Sequence, residues 1–419
     1  MIDDSSSRID HVLIVGAGVV GRAIAIDHLR AGIEVWMADL DEMQLRTSCD
    51  LVLGASGANA DSASPWGMKI ELPIVHLFRT RDDSEDNSGD EPGSQPVATR
   101  SSVLTPRWLL IESIAERVEI KQTFFANAET WFDAPPVLTT NTSTLPIGSI
   151  ASSMQSPQRL CGLHFFMPVV DRPAAEIIPH RSDESGTAAE VIEACCHHAR
   201  RLGKTPLTVR DSPGFVVNRL LAPYLNLATD LLCGGVAVET IQQAALRYGM
   251  PLSPFQLIDL IGTRTAFDGG RVVWSAFPHR MNPSPLLPAL VKRKLAGVAV
   301  GEGFHQYDDT GTQLADTLSP STAELVETYA HDRFCDLPVS EEHRIEWVAD
   351  LFAAAFRCEA IAIVRDGVAD TATIDAAMRG GLRWNPDGTN AGPIERITAT
   401  RAKELADHFP NLKSIQLLT

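Results

Sequence analysis

The sequence predicts an α/β unit followed by an all-α unit made of two related helical modules. Three observations predict it. From residue 11 to 211 short apolar runs alternate with amphipathic stretches, the pattern of βα units and a parallel sheet. Past Asp211 the apolar positions adopt helical spacing. Within that second part a segment repeats: Gly235-Val236-Ala237 then Thr240-Ile241-Gln242-Gln243-Ala244 recurs as Gly367-Val368-Ala369 then Thr373-Ile374-Asp375-Ala376-Ala377. The expected boundaries are 1–210, 211–318 and 319–419.

The expected strands are His11–Val15, Glu34–Asp39, Trp108–Glu112, Pro136–Asn141, Arg159–Phe166, Ala174–Pro179 and Pro206–Asp211. Val191, Ile192, Cys195, Ala199 and Leu202 follow helical spacing, and Gly203 stops that helix. The stretch of about 54–106 breaks the pattern. It holds an acidic run from Arg81 to Gly93 that cannot bury enough apolar surface to order itself, so it reads as an irregular, solvated insertion. In the second part Val217, Leu220, Leu221, Tyr224, Leu225, Ala228, Leu231 and Leu232 form one long helical stripe. Ser253-Pro254-Phe255-Gln256-Leu257-Ile258 has a counterpart in Gly392-Pro393-Ile394-Glu395-Arg396-Ile397, and the two modules are expected to join near Thr317–Thr322.

A formal charge of −17, from 53 acidic against 36 basic residues, speaks against nucleic acid or an anionic membrane as a partner. No apolar run reaches membrane-spanning length. Seven cysteines without a CxxC pair read as free thiols of a reducing compartment. The first residues lack a basic and an apolar leader segment, so a cytoplasmic protein is expected. Cys195-Cys196-His197-His198 are adjacent rather than i/i+4 on their helix, so no metal site is expected, with Cys195 buried and the histidines solvated.

The first chemical motif is Gly16-Ala17-Gly18-Val19-Val20-Gly21, set between the first strand and a helix. Gly16 permits a tight turn, Gly18 lets the backbone approach a pyrophosphate, and Gly21 allows close helix–strand packing. The N–H groups of the helix start, around Val19 and Val20, then face the phosphates. Asp39 ends the second strand eighteen residues after Gly21, where a carboxylate accepts ribose hydroxyls and repels a 2′-phosphate. The reading is a Rossmann-type domain that takes NAD.

The second cluster carries proton chemistry. Asn141-Thr142-Ser143 ends a strand, where ligands of α/β sheets gather. His164 follows twenty-one residues after Ser143, and Glu176 twelve residues after His164. If their strands are neighbours the two side chains face each other, and an imidazole held by a carboxylate is a base for an alcohol that loses hydride.

These segments, with His164-Phe165-Phe166-Met167-Pro168 and Asp211-Ser212-Pro213-Gly214-Phe215-Val216-Val217-Asn218-Arg219, resemble signature segments of 3-hydroxyacyl-CoA dehydrogenases. Ile111 to Glu116 with Lys121, Ala276 to Met281, and Gly301-Glu302-Gly303-Phe304 continue the likeness. It covers most of the chain except about 50–106 and is nearest the dehydrogenase half of bacterial fatty acid oxidation complexes and peroxisomal bifunctional enzymes, without their enoyl-CoA hydratase half. The resemblance implies His164 as general acid/base and Glu176 as its partner. It implies Ser143 and Asn218 on the substrate's 3-oxygen or thioester, and Glu116, Lys121, Asn141 and Ser143 beside NAD. It implies a 3-hydroxyacyl-CoA or 3-oxoacyl-CoA substrate in fatty acid β-oxidation, a hydratase or thiolase partner, and a monomer or homodimer. The second module keeps no Asn-Arg pair (Arg344-Ile345-Glu346 stands there) and reads as structural.

Two positions depart from the pattern: Met167 where relatives carry Asn, and Ala299 where they carry Lys. Where the resemblance implies a helical, Lys-bearing arm over CoA, the early part of segment 50–106, Gly54 to Ala60, is poor in helix signals and basic residues. Two alternatives therefore stay open: the same dyad acting on a non-CoA hydroxy acid such as a sugar acid or carnitine, and a non-catalytic NAD- or acyl-CoA-binding subunit.

Overall fold

The computed structural model describes residues 9–56, 76–79, 107–132, 134–181, 186–334, 339–385 and 391–416. The chain forms two compact units, Met1–Asp211 and Ser212–Thr419.

The first unit is built on one sheet. Its strands are β1 (His11–Val15), β2 (Val35–Asp39), β3 (His76–Arg79), β4 (Trp108–Glu112), β5 (Val137–Thr140), β6 (Leu160–Phe165), β7 (Ala174–Pro179) and β8 (Thr205–Thr208), in the order β3-β2-β1-β4-β5-β6-β7-β8. Neighbouring residues of β1 point to opposite faces, yet Leu13 and Ile14 are both buried, so helices must cover both sides. These are α1 (Val19–Arg30), α2 (Glu42–Ser56), α3 (Val118–Ala128), α4 (Ile147–Ala151) and α5 (Ala189–Arg201). On one face Ile24 and Ala25 of α1 and Val191, Cys195 and Ala199 of α5 join Val12, Ile14, Phe165 and Ile177 in a single core.

The sheet departs from the expected parallel pattern at two places. β2–β3 and β6–β7 are antiparallel, and the other neighbours are parallel. The link 166–173 is too short for a parallel crossover, which takes about a dozen residues or more. The insertion is also less irregular than expected: α2 runs through Gly54 to Ser56, and β3 lies inside the stretch. The acidic run Arg81–Gly93 lies outside the described residues. β8 ends at Thr208 rather than Asp211, whose carboxylate instead accepts the N–H groups of Ile147 (2.9 Å) and Gly148 (2.8 Å) at the start of α4. A further correction concerns His198. It is fully buried rather than solvated, with its Nε2 2.9 Å from Nε2 of His28 on α1.

The second unit holds α6 (Val217–Cys233), α7 (Val238–Tyr248), α8 (Pro254–Ile261), α9 (Thr263–Ala276), α10 (Leu286–Lys292), α11 (Pro320–Thr328), α12 (Arg344–Arg365), α13 (Thr371–Leu382) and α14 (Ala399–His408). The repeated segments are two helix–turn–helix pairs, α6–α7 and α12–α13. Each turn has a glycine in the left-handed region, Gly235 at φ +90° and Gly367 at φ +65°. The pairs interlock: α12 packs on α6 and α7, and α13 packs on α6. Tyr248 stacks on Phe356 at 5.0 Å and Tyr224 meets Phe352 edge-on at 4.9 Å.

A buried charge cluster spans the same seam. Arg219 is fully buried; its guanidinium reaches Glu359 and Asp366 at 2.5 Å each, and Arg280 reaches the same carboxylates at 2.9 and 2.8 Å. Both guanidiniums lie 4.3 Å from the centre of the Phe277 ring. The repeat is imperfect further on. Ser253 caps α8 through a reciprocal pair of bonds with Gln256, whereas its counterpart Gly392 has no side chain to cap with and starts only a turn.

Candidate active site

The C-terminal ends of β1, β2, β4, β5 and β6 converge on one edge of the sheet, the edge where α/β proteins bind ligands. Three glycines shape its first loop. A side chain at Gly16, which sits at φ +103°, would stand 2.4 Å from the Ser113 carbonyl oxygen, and one at Gly21 would stand 1.9 Å from that of Gly16. Gly18 faces open space. Two glycines thus close the turn, and the third leaves room for a ligand at the backbone. Gly18 is also the N-cap of α1; no side chain caps that terminus and no acid lies in its first turn. Val19 is 64% exposed there, with Val20 half-buried behind it. The N–H groups of such a helix start suit a pyrophosphate.

Asp39 borders the same loop. Its Oδ2 accepts the Ala17 N–H at 2.7 Å and its Oδ1 the Asp41 N–H at 3.0 Å. Each carboxylate oxygen has capacity for a second donor, so the group can serve the turn and a ribose hydroxyl together. Ser48 on α2, which sequence reasoning missed, donates to the Ala17 carbonyl at 2.7 Å and pins the loop from the other side. These residues fit NAD: open backbone at Gly18 that would suit phosphates, and an acid at Asp39 that would suit a ribose hydroxyl.

The ends of β4 and β5 carry a denser network. Glu112 is fully buried; its Oε1 accepts Lys121 Nζ at 2.5 Å and the Ile114 N–H at 2.7 Å, and its Oε2 accepts the Thr140 hydroxyl at 2.6 Å. Burial pushes the Glu112 carboxyl above its usual range, and Lys121 works against that rise. Lys121 is only 1% exposed and lies 3.4 Å from Glu116. Glu116 in turn accepts the Thr142 hydroxyl (2.6 Å) and the Ser143 N–H (2.9 Å). Asn141 faces inward, its Oδ1 accepting the Phe165 N–H at 2.8 Å, so it ties β5 to β6. Glu112, Thr140 and Thr142 had no assigned role in the sequence reading. A carboxylate ending an otherwise apolar strand was the available signal.

His164 and Glu176 are directly paired residues of the antiparallel β6–β7 ladder. His164 Nδ1 lies 2.7 Å from Glu176 Oε2; Glu176 is fully buried and His164 is 5% exposed. Donation of Nδ1–H to the carboxylate sets the tautomer in which Nε2 is the basic nitrogen. Phe166 packs edge-on against the imidazole at 5.0 Å. Met167 is 37% exposed. Asn218 stands half-buried on the first turn of α6, in the second unit, and Ala299 lies in a short 3-10 turn of that unit.

A glycine-lined loop, a strand-ending acid and a carboxylate-held histidine on one sheet fit a dinucleotide-dependent oxidoreductase. The 3-hydroxyacyl-CoA dehydrogenase NAD-binding domain matches residues 96–212, and the C-terminal domain of the same family matches residues 214–307, about half of the 419 residues between them. The chain belongs to the 3-hydroxyacyl-CoA dehydrogenase family, oxidoreductases that use NAD. The match begins at residue 96, past the glycine loop and inside the insertion, so the loop's assignment stands on its own geometry.

Solved structures agree on the fold. 3-Hydroxybutyryl-CoA dehydrogenase from Escherichia coli is 22% identical with a TM-score of 0.66, covering 97% of this chain and 96% of its own. The dehydrogenase part of multifunctional enzyme 1 from C. elegans is 20% identical with a TM-score of 0.59, covering 98% and 88%. FadB2 of M. tuberculosis is 29% identical with a TM-score of 0.56, covering 72% of this chain and 99% of its own.

Proposed function

We propose that the chain oxidises the hydroxyl of an (S)-3-hydroxyacyl-CoA to the 3-oxo form, with His164 as general base and Glu176 as its orienting partner. The observation that carries the proposal is the 2.7 Å bond between His164 Nδ1 and the buried Glu176. His164 Nε2 takes the proton of the 3-hydroxyl, and Glu176 stabilises the imidazolium that results. The reverse reaction returns that proton to the 3-oxo oxygen. When bound, NAD supplies the hydride acceptor. Ser143 and Asn218 are assigned to the substrate's 3-oxygen or thioester. The two units act as a cofactor domain and a substrate domain, and the second helical pair of the latter is structural. The substrate chemistry sets the place of the reaction in fatty acid β-oxidation: a hydratase makes the 3-hydroxy group and a thiolase consumes the 3-oxo product.

A non-CoA hydroxy acid is the second reading, and one observation favours it. α2, on the side where relatives place a lysine-bearing arm, carries a single cation, Arg46, and that cation is paired with Glu42 at 2.6 Å. NADH oxidation with acetoacetyl-CoA, set against free acetoacetate, separates the readings. The CoA reading expects turnover with the thioester and little with the free acid. The reverse ranking overturns it.

A further inference from the structure

The resemblance puts Lys121 beside the cofactor, yet its ammonium is committed elsewhere. It is 1% exposed, 2.5 Å from Glu112 Oε1 and 3.4 Å from Glu116 Oε2. Glu112 occupies the last position of β4, paired with Val15 of β1 on one side and Thr140 of β5 on the other. It therefore sits under both loops of the site. Through Ile114 it holds the turn after β4, through Thr140 the end of β5, and through Lys121 the body of α3. Glu116, 39% exposed at its side chain, continues the chain upward to the Thr142 hydroxyl and the Ser143 and Thr144 N–H groups, the last at 3.4 Å.

We propose that Glu112 and Lys121 are a positioning pair for the reaction: Glu112 draws the Lys121 ammonium below the floor of the site, and Lys121 there aims Glu116 at the Thr142–Thr144 backbone and fixes Ser143. The physical case rests on charge balance. Two carboxylates, the buried Glu112 and the partly exposed Glu116, flank one buried ammonium. Each charge there is tolerable only with its partner in place. Removing the ammonium leaves Glu112 buried and uncompensated, and removing Glu112 leaves Lys121 to close on Glu116. In both cases Glu116 loses its aim at the 142–144 loop. Lys121 acts through Glu116 and Ser143, not as a ligand of the cofactor. The adenosine half of the site, at Gly16–Gly21 and Asp39, stays outside this network.

This proposal deepens the dehydrogenase reading and rests on it. The test combines Glu112→Gln, Lys121→Met and Thr142→Val with two independent readouts at a temperature where circular dichroism shows each variant folded. One is kcat with acetoacetyl-CoA and NADH. The other is the Kd of NADH from quenching of tryptophan fluorescence. All three variants should lose about tenfold or more in kcat while the Kd of NADH stays within about threefold. The double variant Glu112→Gln/Lys121→Met should be no slower than the worse single one, because both changes break the same link. A Kd raised tenfold or more by Lys121→Met alone would make Lys121 a cofactor ligand and overturn the proposal. So would normal kcat in folded Glu112→Gln. Thr142→Val, an isosteric change at the far end of the network, keeps the test decisive if a Glu112 or Lys121 variant does not fold: unchanged kcat there also overturns it. Absence of wild-type turnover on acetoacetyl-CoA would instead sink the substrate reading, and the NADH titrations would still decide where Lys121 acts.

Discussion

At the scale of single residues, chemistry follows from what each side chain must accept or donate. Asp39 is the clearest case. It holds the Ala17 and Asp41 N–H groups and borders open backbone at Gly18, so a 2′-phosphate there meets a fixed negative charge. NAD is expected to be preferred over NADP, and Asp39→Ala to narrow the gap in kcat/KM. Equal values for the two cofactors in the unmutated protein would contradict that assignment. Met167, 37% exposed just after β6, offers only a weak thioether acceptor. The His164–Glu176 pair was legible because both residues lie on apolar runs close enough in the chain to be neighbouring strands, though the antiparallel direction of that pair was not. The Glu112–Lys121 pair was not, because nothing in one sequence says that a lysine nine residues after a strand-ending acid folds back onto it.

At the scale of elements, strands were legible wherever a run was mostly apolar, as in β1 and β4, but their order in the sheet was not read. What escaped was pairing direction and the fate of polar residues on amphipathic helices. His197 and His198 looked alike in sequence, but only His198 falls on the face of α5 that meets α1. There it is buried against His28, whose Nδ1 lies 2.7 Å from the Ile24 carbonyl oxygen. Burial lowers the His28 pKa from 6.5 to about 4, and lowers that of His198 as well. Between those values the unfolded chain binds protons that the folded one refuses, so stability is full above pH 6.5 and is lost as pH falls toward 4. For His28 alone a shift of that size corresponds to about 3 kcal/mol. Urea midpoints measured from pH 7 to 4.5 should fall more steeply in the wild type than in His28→Gln. Equal slopes would mean that the buried pair does not titrate as described.

At the scale of the whole molecule, the second unit is built around two helix pairs, α6–α7 and α12–α13. The two helix pairs bury each other's long helices, and the seam carries Arg219 and Arg280 against Glu359 and Asp366. Burial pushes the Glu359 carboxyl up, and the two guanidiniums pull it back. Glu359→Gln should cost about 3–5 kcal/mol in chemical denaturation, since a fully buried guanidinium loses a charged partner. A change below about 1 kcal/mol would show that Asp366 alone suffices. The repeat was legible from its Gly-Val-Ala turns, but the charged seam was not, because its members come from residues far apart in the chain. The dehydrogenase reading itself turns on one side chain. Steady-state oxidation of NADH by acetoacetyl-CoA, compared between the wild type and His164→Ala, tests it most directly. The expected result is a loss of at least about a hundredfold in kcat, the usual size of general acid–base catalysis, with NADH binding retained. Near-normal turnover by His164→Ala would contradict the assignment of the base.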